Sequence, residues 1–457
     1  MMKTLIAVLL LAALAVGVLL LARYESFDWS TDSAPALAEF EAGLEALDKI
    51  YASDAIAHFE QALAADPGFA AAQYFLIRAL GRQDGSSPQR TSELVEALAA
   101  QDLSRLNARE RMLVGSMLAR IDGDYETASR IVDDYYSDHP EDPYVLELHC
   151  AMLESSREVE GCLERLIELD PNRVQAQNSL GYLAFNRGDF AAAEERFRLY
   201  GYLAPDQANP HDSLGELLMV TGRYDEAQAQ FRQAVALKGD FCASWNNLVT
   251  LELLRHDADA AGRVVDELDA VDGCPQRLRP YQRCRAELWR LAQSGGWAEA
   301  YESSRADCAP NPVDADSSIL AVRAALASGH PEAAEGVIEA VAEWFRSEGR
   351  TERPREEEPF VLLLIGLAES GGGDPQTAAA TLAAADEKLH WGESMGTLKL
   401  LTRLERTAAL AAGGAGGAAQ SMASLAAVNP RYAAAPPLPP LHPPPPAPAT
   451  SAAGGAG

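Results

Sequence analysis

Six cysteines and eight histidines are the side chains best suited to do chemistry, and their spacing argues against most of it. Cys150, Cys162, Cys242, Cys274, Cys284 and Cys308 contain no CxxC pair, so neither a dithiol redox centre nor a zinc ribbon is implied. An even count in an exported chain permits disulfides without choosing their pairing. Cys150 with Cys162 is the first pair to test, and buried, small apolar cysteines are the alternative. His58, His139, His149, His211, His256, His330, His390 and His442 form no i, i+4 pair, so no metal site is expected. The chain has no GxSxG elbow, Walker A loop, GxGxxG after a strand, or HExxH. The run Gly413 to Gly417 lies among alanines with no lysine after it, and acidic pairs such as Glu194-Glu195 read as solvated helix surface. No catalytic residue, cofactor or metal is expected.

The elements that would position any site are helical. The apolar residues are 48% of the 457 but the aromatics only 7%. The apolar share is mostly Ala and Leu, good helix formers and poor strand formers. With 38 Lys and Arg against 67 Asp and Glu, the net charge is −29, which repels phosphate backbones and disfavours a nucleic-acid partner.

After Lys3, the residues from Leu5 to Ala22 form an uninterrupted apolar run bounded by Arg23. At about 1.5 Å per residue the run spans a bilayer core, so residues 1–23 read as a signal anchor and transmembrane helix. The competing reading is a cleaved secretory signal, which would make the protein secreted, but Ala13-Leu14-Ala15 lies mid-run and Leu20-Leu21-Ala22 is a poor cleavage site. Residues 24–35 then form a linker, and the rest of the chain is placed outside the cytosol.

A 34-residue period follows. Ser179-Leu180-Gly181-Tyr182 aligns with Ser213-Leu214-Gly215-Glu216, Gly188 with Gly222, Ala193 with Ala227, and Phe197 with Phe231. Small residues at positions 8 and 20 let two helices approach, an aromatic at 24 fills the space beside them, glycine turns the hairpin, and Pro205 ends the second helix. Val174 to Asp240 resembles the tetratricopeptide repeat (TPR). Gly43, Ala55, Phe59, Ala62 and Pro67 give another copy; Ser116, Gly123, Ala128, Val132 and Pro140 a third. The expected organisation is an array over 36–272, strongest at 36–69, 109–142, 174–207 and 208–241, then degenerate TPR-like hairpins over 273–432. Residues 433–457, rich in Ala, Pro and Gly, are expected to be a disordered tail.

The resemblance implies an all-α solenoid of about ten helical hairpins, wound as a right-handed superhelix, with a groove lined by the first helix of each hairpin. Repeat positions 2, 5, 9 and 12 face that groove in the family. They fall on Gln175, Asn178, Tyr182 and Phe185, on Asn209, Asp212, Glu216 and Met219, and on Asn246 and Thr250 with Ala243 and Leu253. Asn side chains there would bond an extended peptide's backbone and Tyr182, Phe185 and Met219 its apolar side chains, although Phe185, Met219 and Leu253 also fit ordinary packing. With five Lys in the chain and Asp212 and Glu216 in the groove, a clamp for acidic C-termini is not expected, and partners should be neutral or basic. A membrane anchor joined to TPR hairpins resembles bacterial proteins that assemble cell-envelope complexes, which implies a periplasmic protein-binding scaffold. Its rivals are a solenoid that self-associates end to end through an uncapped hairpin near Leu425, and an enzyme with a pocket between Gly273 and Glu358.

Overall fold

The computed structural model describes residues 29–82, 88–153, 155–275, 278–306, 308–309, 314–392, 395–438 and 440–442. Among these residues there are twenty-four α-helices and no strand, and the chain divides into two compact units at Leu153 and Glu154. The apolar run from Leu5 to Ala22 lies outside the described residues, among which no helix is long and apolar enough to cross a membrane.

Unit 1 contains α1 (Ala34–Asp48), α2 (Ala52–Ala65), α3 (Ala70–Arg82), α4 (Pro88–Ala99), α5 (Ala108–Ile121), α6 (Tyr125–Asp138) and α7 (Pro143–Cys150). Chain neighbours pack as the pairs α1/α2, α3/α4 and α5/α6. Phe40, Phe59, Phe69 and Phe75 form the centre of its core. Gly43 is small because the Phe59 ring lies against it: an added Cβ would come 2.6 Å from a ring carbon. Helix starts follow the sequence. The side chain of Asn107 accepts from Glu110 N at 2.9 Å to open α5, and Asp142 accepts from Tyr144 N at 3.0 Å, with Pro143 following, to open α7.

Unit 2 contains α8 (Ser156–Leu169), α9 (Gln175–Asn186), α10 (Phe190–Leu203), α11 (Asn209–Val220), α12 (Tyr224–Leu237), α13 (Cys242–Leu254), α14 (Ala258–Leu268), α15 (Leu278–Gln293), α16 (Trp297–Arg305), α17 (Ala315–Ala327), α18 (Pro331–Ser347), α19 (Pro354–Glu357), α20 (Pro359–Gly371), α21 (Pro375–Lys388), α22 (Gly396–Ala412), α23 (Ala418–Val428) and α24 (Pro430–Ala434). The 34-residue period appears as geometry, since α9 and α11, and likewise α10 and α12, begin 34 residues apart. A Cβ added at Gly181 or Gly215 would sit 2.5 Å from the ring of Phe197 or Phe231, so glycine is what admits the aromatic knob. Gly188 and Gly222 turn the hairpins at φ +79°. The matching turn between α13 and α14 uses His256 at φ 62°, a conformation that costs a non-glycine residue free energy.

Where the period fades, other devices hold the hairpins. Every described cysteine is disulfide-bonded, including Cys242 to Cys274 and Cys284 to Cys308. Arg323 on α17 and Glu405 on α22 form an ion pair at 2.5 Å, 1% and 0% exposed. Lys399 and Arg403 share Asp386 at 3.0 and 2.9 Å and lie over Trp391.

The chain is ordered further than its composition suggests at both ends of the described residues. Residues 29–33, expected as linker, pack into unit 1. Residues 433–438 and 440–442, expected as the start of a disordered tail, pack into unit 2. Tyr432, Ala433 and Leu438 are buried, the His256 ring meets the carbonyl of Ala435 at 3.0 Å, Gln293 donates to Pro437 O, Leu441 N donates to Glu405, and His442 meets Ser370 O at 3.0 Å. An extended proline-rich segment leaves its carbonyls unused, so neighbouring donors hold it without any periodic apolar pattern. Residues 443–457 lie outside the described residues.

Candidate functional site

The first helices of successive hairpins lie side by side as a wall, and in each unit a non-helical stretch of the same chain packs against the hairpins. Thr31 N donates to Trp29 O at 2.9 Å, so the stretch in unit 1 is a tight turn. In unit 1, Trp29 stacks edge-on with Phe40 of α1 at 4.8 Å, Phe75 of α3 at 6.0 Å and Tyr144 of α7 at 5.4 Å, and the Arg109 guanidinium of α5 stands 4.9 Å over its ring. One indole therefore touches α1, α3, α5 and α7. Ser30 donates both its N–H, at 2.8 Å, and its hydroxyl to Glu110, which is 0% exposed. Thr31 Oγ1 donates to Asp66 at 2.6 Å. Arg109 is held by Asp142 at 2.7 Å, and Asp142 also accepts from Tyr135 at 3.1 Å. A buried carboxylate and a buried arginine, each with partners, satisfy the condition for keeping charge out of water.

In unit 2 the wall consists of α9, α11, α13, α15 and α17, and its polar side chains bond from one helix to the next. Tyr182 donates to Glu216 at 2.9 Å. Asp212 accepts from Ser244 at 2.5 Å and Asn247 at 3.2 Å. Asn246 Oδ1 accepts from Gln282 at 2.7 Å and Arg285 at 3.3 Å, and Arg285 also donates to Thr250 at 2.8 Å and pairs with Asp316 on α17. Burial pushes the Asp212 carboxyl up to about 6 against its two hydrogen bonds. Burial, then the negative charges of Glu216 and Asp212, raises the Tyr182 hydroxyl well above the usual phenol range.

The residues placed in the groove by the sequence do lie on these wall helices, but their side chains serve different ends. Phe185 and Met219 are core. Gln175 and Asn209 both donate to the Tyr200 hydroxyl of α10, so they link first to second helices. Tyr182, Asp212, Glu216, Asn246 and Thr250 build the ladder between helices. Asn178 is buried, and its Oδ1 has no hydrogen-bond partner. The wall is covered from within unit 2: Gly392 N donates to Asn186 Oδ1 at 2.9 Å, Trp391 packs on Phe190, and Asn429 donates to Val220 O at 3.0 Å.

The sequence reading did not single out Ser244, Asn247, Gln282, Arg285 and Asp316 in unit 2, or Trp29, Arg109, Glu110 and Asp142 in unit 1. A signal for one of them existed, because Glu110 is position 2 of the copy at 109–142.

The family model described as tetratricopeptide repeat matches residues 211–241, the copy whose glycine, aromatic knob and turn are described above. The chain carries a tetratricopeptide repeat. TPR proteins generally mediate protein–protein interaction and complex assembly. Over 139 residues the chain is 30% identical to Superkiller complex protein 3 of Mus musculus, a match covering 28% of this chain and 8% of that protein. Similar solved structures include yeast Tom70, with 13% identity over 83% of this chain and 96% of that one and a TM-score of 0.44. The APC/C hetero-tetramer Cut9-Hcn1 gives 12% identity, 87% and 94% coverage and a TM-score of 0.36. The TPR domain of P58(IPK) gives 16%, 81%, 98% and 0.22.

One open groove, about 360 Å³, lies between α16, α17 and α18, inside the stretch that the enzyme alternative requires. Ala321, Ala325, Ala333, Gly336 and Ala340 floor it. Its Ser304 hydroxyl donates to Tyr301 O, and Arg305 lies over the Tyr301 ring. The Ser304 hydroxyl is thus engaged by a main-chain carbonyl.

Proposed function

We propose that this TPR chain is a non-catalytic scaffold that holds polypeptide segments of other proteins on the inner walls of its helical hairpins. The observation that carries this reading is that both units already seat a non-helical segment of the chain against their hairpins, residues 29–31 in unit 1 through rings and hydroxyls and residues 435–438 and 440–442 in unit 2 through His256, Gln293, Ser370 and Glu405. The wall carboxylates Glu110, Asp212 and Glu216, with the overall charge of −29, favour neutral or basic segments over acidic ones. The tether in this proposal is the apolar run from Leu5 to Ala22, and the hairpins stand outside the cytosol, in a bacterial periplasm. The bonded state of every described cysteine supports an oxidising compartment.

End-to-end self-association needed an open apolar end near Leu425. Met422 and Leu425 are buried, and the exposed residues of α23, Ala419, Gln420, Ala423, Ser424 and Ala427, are small or polar, so that reading is set aside.

The test is affinity capture of the tagged full chain from native envelope extract, with Asn178→Ala plus Tyr182→Ala as the wall variant. A defined protein that is lost from the folded variant supports the scaffold. Identical captures from both chains, or no capture from either, removes it.

A further inference from the structure

The strap in unit 1 has the make-up of a bound ligand. Its side chain goes into a socket of Phe40, Phe75 and Tyr144 under the Arg109 guanidinium, and the next residue gives both of its hydrogens to one buried carboxylate, Glu110. Two groups of the socket are also held by residues outside the strap. Asp142 fixes Arg109 from the other side, and the Asn107 side chain caps the helix at the N–H of Glu110. Three of the four groups around the indole belong to α1, α3 and α5, so a segment lying here is read by successive hairpins together.

We propose that this socket recognises a segment of a partner protein carrying Trp followed directly by Ser or Thr, turned as Thr31 N turns back on Trp29 O here, and that Trp29-Ser30 is the chain's own competitor for it. This deepens the scaffold reading and rests on it. The chemistry sets the specificity. The arginine and the ring edges favour a broad, electron-rich indole face. Glu110, an acceptor with no proton to give when ionised, takes an N–H and an O–H from the same residue. A phosphate on that hydroxyl would place like charges together in a buried site and would be refused. Because the strap is tethered to the wall it covers, its effective concentration is high, on the order of millimolar, and a partner gains entry only by matching both contacts.

The experiment uses the full chain and a fluorescein-labelled peptide with the sequence of residues 24–35, followed by fluorescence anisotropy. Trp29→Ala empties the socket in cis, and this variant is expected to bind the peptide at least tenfold more tightly than the native chain. Adding Glu110→Gln to that variant should weaken binding at least tenfold, as should a phosphate on the peptide's Ser30. Equal binding by native and Trp29→Ala chains, or no effect of Glu110→Gln, overturns the proposal. If Trp29→Ala does not fold by circular dichroism, Ser30→Ala removes only the hydroxyl given to Glu110. It must then bind the peptide several-fold more tightly than the native chain, and no difference overturns the proposal. Failure here with a partner still lost from the unit 2 wall variant would leave the scaffold standing without this socket. Binding here with no protein captured would leave the socket without the scaffold.

Discussion

Unit 1 meets the segment lying against its wall with rings, an arginine and carboxylates, whereas unit 2 meets its own with the side-chain donors His256 and Gln293, the main-chain carbonyl of Ser370 and the Glu405 carboxylate that also pairs with Arg323. The segments differ in the same sense. Trp29 to Thr31 offers one large side chain and two hydroxyls, while the unit 2 segment offers two carbonyls, a main-chain N–H, the His442 ring and the buried Leu438. A repeat scaffold of one helical plan thus seats two unlike kinds of polypeptide, because the plan fixes where the wall residues stand and leaves their identity free.

The comparison is open to attack at its most heavily charged point. Glu405→Ala strips Arg323 of its carboxylate and Leu441 of its acceptor, and is expected to cost unit 2 about 3–5 kcal/mol. Native-state hydrogen exchange should show this loss in unit 2 with unit 1 protection unchanged. An equal loss in both would mean that the units do not hold themselves separately. The mirror experiment is Trp29→Ala, expected to lower unit 1 by about 2–3 kcal/mol through its emptied socket, with unit 2 protection unaffected.

A subtler test uses protons. The Asp212 carboxyl is held near 6 in the folded chain against 3.8 for the free group, so the folded state binds its proton more tightly than the unfolded state does. The stability that this group contributes is present in full below pH 3.8 and is lost as the pH rises through 6. Asp212→Asn should therefore gain unit 2 about 3 kcal/mol over the native chain at pH 8 and almost nothing at pH 3.5, read from urea midpoints at the two pH values. A difference that does not vary with pH would show that Asp212 titrates normally. The smallest effect is expected at Ile50, which turns from α1 to α2 at φ 62°. Ile50→Gly relieves a β-branched residue in the left-handed region and should raise the stability of unit 1 by about 0.5–1 kcal/mol in a thermal melt.

Much of the helical plan was legible in advance, for physical reasons that apply unevenly along the chain. Gly181 with Phe197 and Gly215 with Phe231 announce a close helix pair, because only a residue without Cβ tolerates a ring at that distance, and Gly188 with Gly222 mark turns that need positive φ. The wall positions were also legible as positions. Their roles were not, since whether Tyr182 faces a partner or donates to Glu216 depends on a neighbour 34 residues away. Trp29 sits in a stretch with no period, and its contacts are to α1, α3, α5 and α7, so nothing local announces it. The segment around Leu438 was misread because composition measures what a stretch can bury by itself and not what donors such as His256 and Gln293 will reach.

The strap in unit 1 also determines how mechanical load enters the molecule. A pull on the residues before Trp29 reaches the helices first through one indole and the bonds of Ser30 and Thr31. Under tension the strap, held by few contacts, is expected to leave before α1 unwinds. Tension on that side of the chain would then act as the switch that exchanges an internal segment for an external one.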